Sequence, residues 1–261
     1  MANIWRGLSY AIFATAILFS HEMGHYLTCK KFNVKASKPY FLPGIPWIDP
    51  GFVIPMIGTF GAFIKMELAP MSKSALMRIA ALGPVAGFVI ALPTLFLGMS
   101  LSEIKPVPEG SMAMGDSLLL LIGEFIFAPN IPAGHDLFLH PIAMAGWMGC
   151  LLTALNLLPI GQLDGGHVVY ALFGKGWHKM GWVMGLVVLI LGVFFFAGWL
   201  ILGAFVFKMG WQHPDITTEE KLQTYDHVLG ASCLIMLILT FTPSPIEGSS
   251  LLVVVQSLLG S

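Results

Sequence analysis

The chain has 261 residues, of which 56% are hydrophobic and 10% charged, with a mean hydropathy of +0.82 and a formal net charge of −1. Soluble domains carry roughly 25% charged residues, so an ordinary soluble globule is excluded and the bilayer is the expected solvent. No basic block offers itself to a phosphate backbone, which argues against nucleic acid as a partner, and Cys29, Cys150 and Cys233 are odd in number and lack CxxC spacing, so they read as packing residues.

A membrane-crossing helix needs about 20 mostly apolar residues. The first candidate covers residues 4–27. Its N-terminal flank has only Arg6 and no small-x-small cleavage signal follows, so it reads as a retained span rather than a signal peptide. It ends in FSHEMGHYL, and Lys30, Lys31, Lys35 and Lys38 come next. By the positive-inside rule this end faces the cytoplasm. Residues 39–70 hold too many Gly and Pro for a helix. GFVIPMIGTFGAFIKM reads as short β-prone pieces, either a re-entrant hairpin beside the first helix, which we prefer, or an interfacial loop.

Residues 75–99 form the second expected span, with ALGPVAG allowing close helix approach. Glu103, Glu109 and Asp116 suit the outer side. Residues 117–128 are apolar but too short to cross, and are expected to lie at the outer interface. The third span, residues 141–158, returns inward and ends in NLLPIGQLDGGH. Residues 181–207 are one tilted helix or two short ones broken near 196–199. Residues 227–241 are the last span, and LLVVVQSLLG is too short to cross. The expected architecture is an all-α polytopic membrane protein of about six transmembrane helices, with a re-entrant β-hairpin after the first. Residues 1–261 then form one domain, with no stretch long enough for a PDZ or other soluble module.

An ionisable residue inside a membrane helix is costly and marks a functional site by default. HEMGH matches H-E-x-x-H, which puts His21 and His25 on one helical face, able to share a metal ion, with Glu22 beside it. Zinc lowers the pKa of the water it binds to about 7, and a neighbouring carboxylate can take that proton and pass it to a leaving amine. The plain alternative is two histidines lining a helix interface. A catalytic zinc site needs a third protein ligand and an open fourth position. Glu67, Glu103, Glu109, Asp116, Glu124, His135, Asp136, His140 and Asp164 are the candidates. Asp164 is favoured because it follows an inward-running span at the depth of the histidines. Glu67, next to Lys65, suits an interfacial pair. Pro159 and Gly161 break the helix before Asp164, and Gly165 and Gly166 allow close backbone approach. Asp164 also suits a helix N-cap. His167, three residues on, reads as a supporting partner, an alternative ligand or a capping contact.

HEMGH with NLLPIGQLDGG far downstream resembles the site-2 protease family of intramembrane zinc metalloproteases, peptidase family M50. Asn156, Pro159, Leu163, Asp164 and Gly165 occupy every fixed position of its N-x-x-P-x-x-x-L-D-G motif. GTFGAFIKM, RIAALGPVAGF, HPIAMAGWMG and FTPSPI are similar to the plant and bacterial branch that includes the EGY-type proteases. The resemblance implies one Zn2+ ion held by His21, His25 and Asp164, and Glu22 as catalytic base. It implies that Asn156 meets the substrate or the developing oxyanion, and that the region of Gly58 and Gly61 is a β element pairing with an extended substrate segment. The expected reaction is hydrolysis of a peptide bond in or near a substrate's transmembrane segment, by a multi-pass protein whose site lies near the cytoplasmic side. Substrate gating falls to the chain's own loops, a regulatory membrane partner or a second copy. A membrane metal-transport or metal-binding protein without proteolytic activity is the competing reading.

Overall fold

The H-E-x-x-H stretch lies in the last turns of a 30-residue helix, α1 (Ala2–Lys31). At 1.5 Å per residue such a helix is about 45 Å long, longer than the roughly 30 Å hydrocarbon layer. It stops at Asn33, which takes a φ of 56°. The Val34 amide then donates to the Cys29 carbonyl at 2.9 Å and the Asn33 amide to the Lys30 carbonyl at 3.2 Å. This is a Schellman stop with asparagine in the left-handed position, and it turns the chain back just after the lysine pair. The computed structural model describes residues 2–43, 59–66, 71–108, 111, 113–174, 177–209 and 221–259.

The returning chain is extended. β1 (Tyr40–Pro43) pairs antiparallel with β2 (Thr59–Phe63), with a bulge between Leu42 and Pro43. Ala36 bridges Met66 below the pair, and the Ser37 amide donates to the Lys65 carbonyl at 2.9 Å. The expected β element is therefore present beside α1, while Gly58 and Glu67 lie outside the described residues. Next comes α2 (Lys73–Ser100), started by the Ser72 hydroxyl accepting from the Ala75 amide. Among the described residues it is the helix both long and apolar enough to cross a bilayer by length and composition alone.

The half of the fold away from the H-E-x-x-H stretch holds a second strand pair that the all-α expectation did not include. β3 (Glu103–Pro106) pairs antiparallel with β4 (His135–Phe138), flanking the short amphipathic helix α3 (Leu118–Phe127). Strands of four residues containing Pro106 and charged positions give almost no alternating pattern, so they were not legible in the sequence. α4 (Pro141–Leu157) begins at His140, whose Nδ1 accepts from the Ile142 amide at 3.3 Å. α5 (Asp164–Phe173) follows a tight six-residue turn. The run at 181–207 resolves into two helices, α6 (Trp177–Phe194) and α7 (Gly198–Met209). α8 (Thr224–Thr240) and α9 (Leu251–Leu259) complete the fold. All three cysteines are buried and unpaired, as packing residues would be.

α1, α2 and α4 form the central layer. Pairing along their lengths fixes the directions. Gly87 faces His21 and Gly83 faces His25, so α1 and α2 are antiparallel; Ile17 meets Gly149 and His21 meets Asn156, so α1 and α4 run in parallel. The expectation that the first and third apolar segments run the same way therefore holds.

A second polar cavity, about 400 Å³, lies beside the β3–β4 pair and is lined by Asp116, Glu124, Asp136 and Glu247. Partial burial, with Asp116 and Asp136 nearby, pushes the Glu124 carboxyl up to about 7. Lys105, opposite Asp136 in the strand pair, is bound to Glu103 at 2.6 Å. A carboxyl raised above its unfolded value stabilises the fold at acid pH and loses that contribution as pH rises through the folded value. Amide protection in α3, taken relative to the intrinsic base-catalysed exchange rate at each pH, is thus expected to fall between pH 5 and pH 8, and Glu124→Gln to flatten that fall; an unchanged slope in the variant would refute the assignment.

Candidate metal centre

Three side chains from two distant stretches converge. His21 Nε2 and His25 Nε2 each lie 3.3 Å from Asp164 Oδ2, and 3.1 Å from one another. Donor atoms about 2.1 Å from a tetrahedral zinc are spaced about 3.4 Å apart, so the set has the size of three corners of a zinc site. Two ring nitrogens and a carboxylate oxygen crowded this closely need positive charge between them. His21, Glu22 and His25 are 8%, 7% and 7% exposed, so solvent supplies little of it. The residues present fit a metal ion, and among the described residues this is the cluster that could hold one.

The supporting shell comes mainly from α2. His25 Nδ1 donates to the Ile79 carbonyl at 2.8 Å. A carbonyl only accepts, so the proton sits on Nδ1 and Nε2 keeps its lone pair for a metal. Position 83 must be glycine, because a Cβ there would stand 2.1 Å from His25 Nε2. Pro84 has no amide to donate to the Ala80 carbonyl, and Ala80 lines the same cavity. Asp164 is delivered differently. α4 ends at Leu157, Gly161 turns the chain at a φ of 52°, and α5 folds back so closely that a Cβ at Gly165 would meet the Leu157 carbonyl oxygen at 2.0 Å. The expected N-cap role of Asp164 needs correcting: Leu163 is the N-cap and Asp164 is the first helical residue, its carboxylate turned to the histidines.

The other expected residues are distributed around a cavity of about 330 Å³. Glu22 lines it beside the donor cluster, and the Ile64 amide, one residue past β2, hydrogen-bonds its carboxylate. Asn156 Nδ2 stands 3.4 Å from His21 Nε2. His167 is buried and lines the cavity without joining the ligand cluster. Gly61 is in β2, opposite Leu42. Glu103, paired with Lys105, sits in the β3–β4 strand pair, as do His135 and Asp136, away from the cluster. Sequence reasoning missed Ile79 and did not single out Gly83. A backbone carbonyl carries no residue signature, but ALGPVAG was already marked as a site of close approach.

Comparison with known proteins agrees with this geometry. The sequence model of peptidase family M50 matches residues 9–195, which include all of these cavity residues. The chain is 29% identical over 255 residues, 90% of its length, to probable zinc metalloprotease EGY1, chloroplastic, of Arabidopsis thaliana. It is 30% identical over 176 residues, 65% of its length, to probable zinc metalloprotease EGY2, chloroplastic, of Oryza sativa subsp. indica. It spans 42% and 30% of those proteins, respectively. No solved structure matches the chain.

Proposed function

The chain belongs to peptidase family M50, and from that premise we propose that it is an intramembrane zinc metalloprotease, cleaving a peptide bond in or near the transmembrane segment of a membrane protein. The observation that carries this reading is the convergence of His21, His25 and Asp164 within 3.3 Å, beside a buried Glu22. Zinc, when bound there, supplies a Lewis acid and a water that is nucleophilic at neutral pH.

The chain's own residues supply the rest. The Glu22 carboxylate takes the proton of the attacking water and returns it to the amide nitrogen that leaves. The Ile64 amide fixes that carboxylate in place. Asn156 Nδ2 is an amide donor at the cavity wall, suited to the oxygen on which negative charge develops. Among the described residues β2 pairs with β1 on one edge. Its other edge suits an extended substrate segment, which must unwind before a helical peptide bond can be attacked. Gly61 lies in β2, and we assign it, with Gly58 outside the described residues, to close approach of the substrate backbone.

The protein is proposed to be multi-pass, with the site near the cytoplasmic face marked by Lys30, Lys31, Lys35 and Lys38. This side follows from the positive-inside rule. A single domain of intramembrane protease type accounts for residues 1–261, with lipid and a transmembrane substrate as its partners.

The test is cleavage of a membrane-spanning substrate by the purified protein in lipid vesicles. A strong zinc chelator is expected to abolish cleavage, and added zinc to restore it. Asp164→Ala is expected to lose about 10-fold or more in zinc affinity, because two histidines hold zinc weakly. Unchanged metal content in that variant would mean that another residue completes the site.

A further inference from the structure

The family match stops at residue 195, but a helix beyond it, α8, holds the metal centre's supporting shell. The polar part of the hold centres on one arginine, with Ser74 of α2 also hydrogen-bonded to Asp226. Arg78 Nε donates to Asp226 Oδ1 at 2.6 Å, and Arg78 Nη2 donates to Gln223 Oε1 at 2.7 Å. The Gln223 amide donates to Asp226 Oδ2 at 2.9 Å, so both carboxylate oxygens are engaged. The guanidinium also lies over the Tyr225 ring, 5.1 Å from its centroid, and 6.0 Å from that of Phe32 just past the end of α1. Asp226 is fully buried. One turn on, a Cβ at Gly230 of α8 would fall 2.7 Å from Met77 Cε on α2 and 3.4 Å from Leu172 Cδ1 on α5. α8 therefore seats on both the helix that supports His25 and the helix that carries Asp164.

The position of Arg78 gives this contact its consequence. The next residue is Ile79, whose carbonyl sets the His25 ring. A helix rises 1.5 Å per residue, and the His25–Ile79 hydrogen bond fails if its 2.8 Å length grows by less than that. Arg78 locks the axial register of α2 within one residue of this carbonyl. Arginine suits the task, since its planar fork reaches two acceptors at once and lysine's point charge does not.

We propose that Arg78 and Asp226 are positioning residues of the metal centre: their pair fixes α2 so that the Ile79 carbonyl presents His25 Nε2 to the metal, and α8 is thereby part of the catalytic unit. The inference rests on the reading of His21, His25 and Asp164 as metal ligands.

The experiment uses the full chain in detergent or vesicles, with Arg78→Lys and Asp226→Asn. Ser102→Ala, which removes hydrogen bonds to the Gly98 carbonyl and from the His140 amide just past the end of α2 opposite to Arg78, is the control for stability alone. Zinc release to a chelator is expected to quicken about 10-fold or more in the first two variants. The visible spectrum of the cobalt-substituted protein is expected to shift in them too. Neither readout should move in Ser102→Ala, even where its melting temperature falls as far. Because coupling between sites is reciprocal, zinc added to the metal-free parent is expected to slow amide exchange across residues 224–230, a measurement that needs no variant. Parent-like zinc release and cobalt spectra in Arg78→Lys and Asp226→Asn, or exchange in α8 indifferent to zinc, would overturn the proposal alone. A parent that binds no zinc would overturn the ligand reading along with it.

Discussion

Glu22→Gln is expected to lower the cleavage rate about 10²–10⁴-fold, the range spanned by general acid–base catalysis, while zinc content stays at the parent level. The substitution is nearly isosteric. Glutamine can still accept from the Ile64 amide through Oε1, and it removes a charge from a site where Glu22 is only 7% exposed. The fold and ligand set should therefore survive. What is lost is the ability to take a proton from water, which an amide does not do. The same variant separates the competing readings. A metal transporter has no need of a base beside its ligands, so metal flux indifferent to the change would favour that reading. An inert zinc-binding scaffold would show no cleavage in the parent either. Cleavage of a transmembrane substrate at the parent rate in Glu22→Gln would end the mechanism.

The cluster of His21, His25 and Asp164, which could hold a metal ion, was legible because each part leaves a local mark. His21 and His25 are spaced by one helical turn, and ionisable groups stand out in an apolar run. Asp164 was reachable because the topology expected from apolar length and lysine placement leaves few other carboxylates at the depth of the histidines. The helices followed from apolar length, with α1, α2, α4 and α8 falling within a few residues of the expected limits. Two things were not legible, and a third stood open between two readings. That third is the parting of α6 from α7 near 196–199, where residues 195–197 contain no proline to decide it. The break there is closed by tertiary contacts, the Ala197 amide donating to the Ser249 carbonyl and Trp199 Nε1 to the Pro243 carbonyl. β3 and β4 are too short to show a period. Arg78 reads locally as one more cation near a helix start, and its partner is 148 residues away. Local pattern thus found the side chains that cluster at the candidate centre, and missed those packed behind them.

Gly83→Ala carries the second large effect, and it tests the supporting shell most directly. The added methyl would stand 2.1 Å from Nε2, 2.3 Å from Cε1 and 2.5 Å from Cδ2 of His25. The ring cannot give way and remain a ligand, because Nδ1 is tied to Ile79. Nor does the α1–α2 contact have slack, since a Cβ at Gly24 would already meet the Leu82 carbonyl oxygen at 2.3 Å. Either His25 swings off the metal or the two helices part. Overpacking of this kind costs about 1–3 kcal/mol, and losing an oriented ligand should weaken zinc binding by more than the roughly 10–100-fold seen when a supporting partner alone is removed. Gly87→Ala is the matched comparison. Its methyl would meet His21 Cβ at 3.1 Å and Nδ1 at 3.3 Å, contacts that a shift of a few tenths of an ångström relieves. Zinc affinity is expected to collapse in Gly83→Ala and to stay within about 10-fold of the parent in Gly87→Ala, as read by competition with a chelator of known affinity. Equal losses in the two variants would mean that general helix spacing, rather than the seat of the His25 ring, sets the metal site.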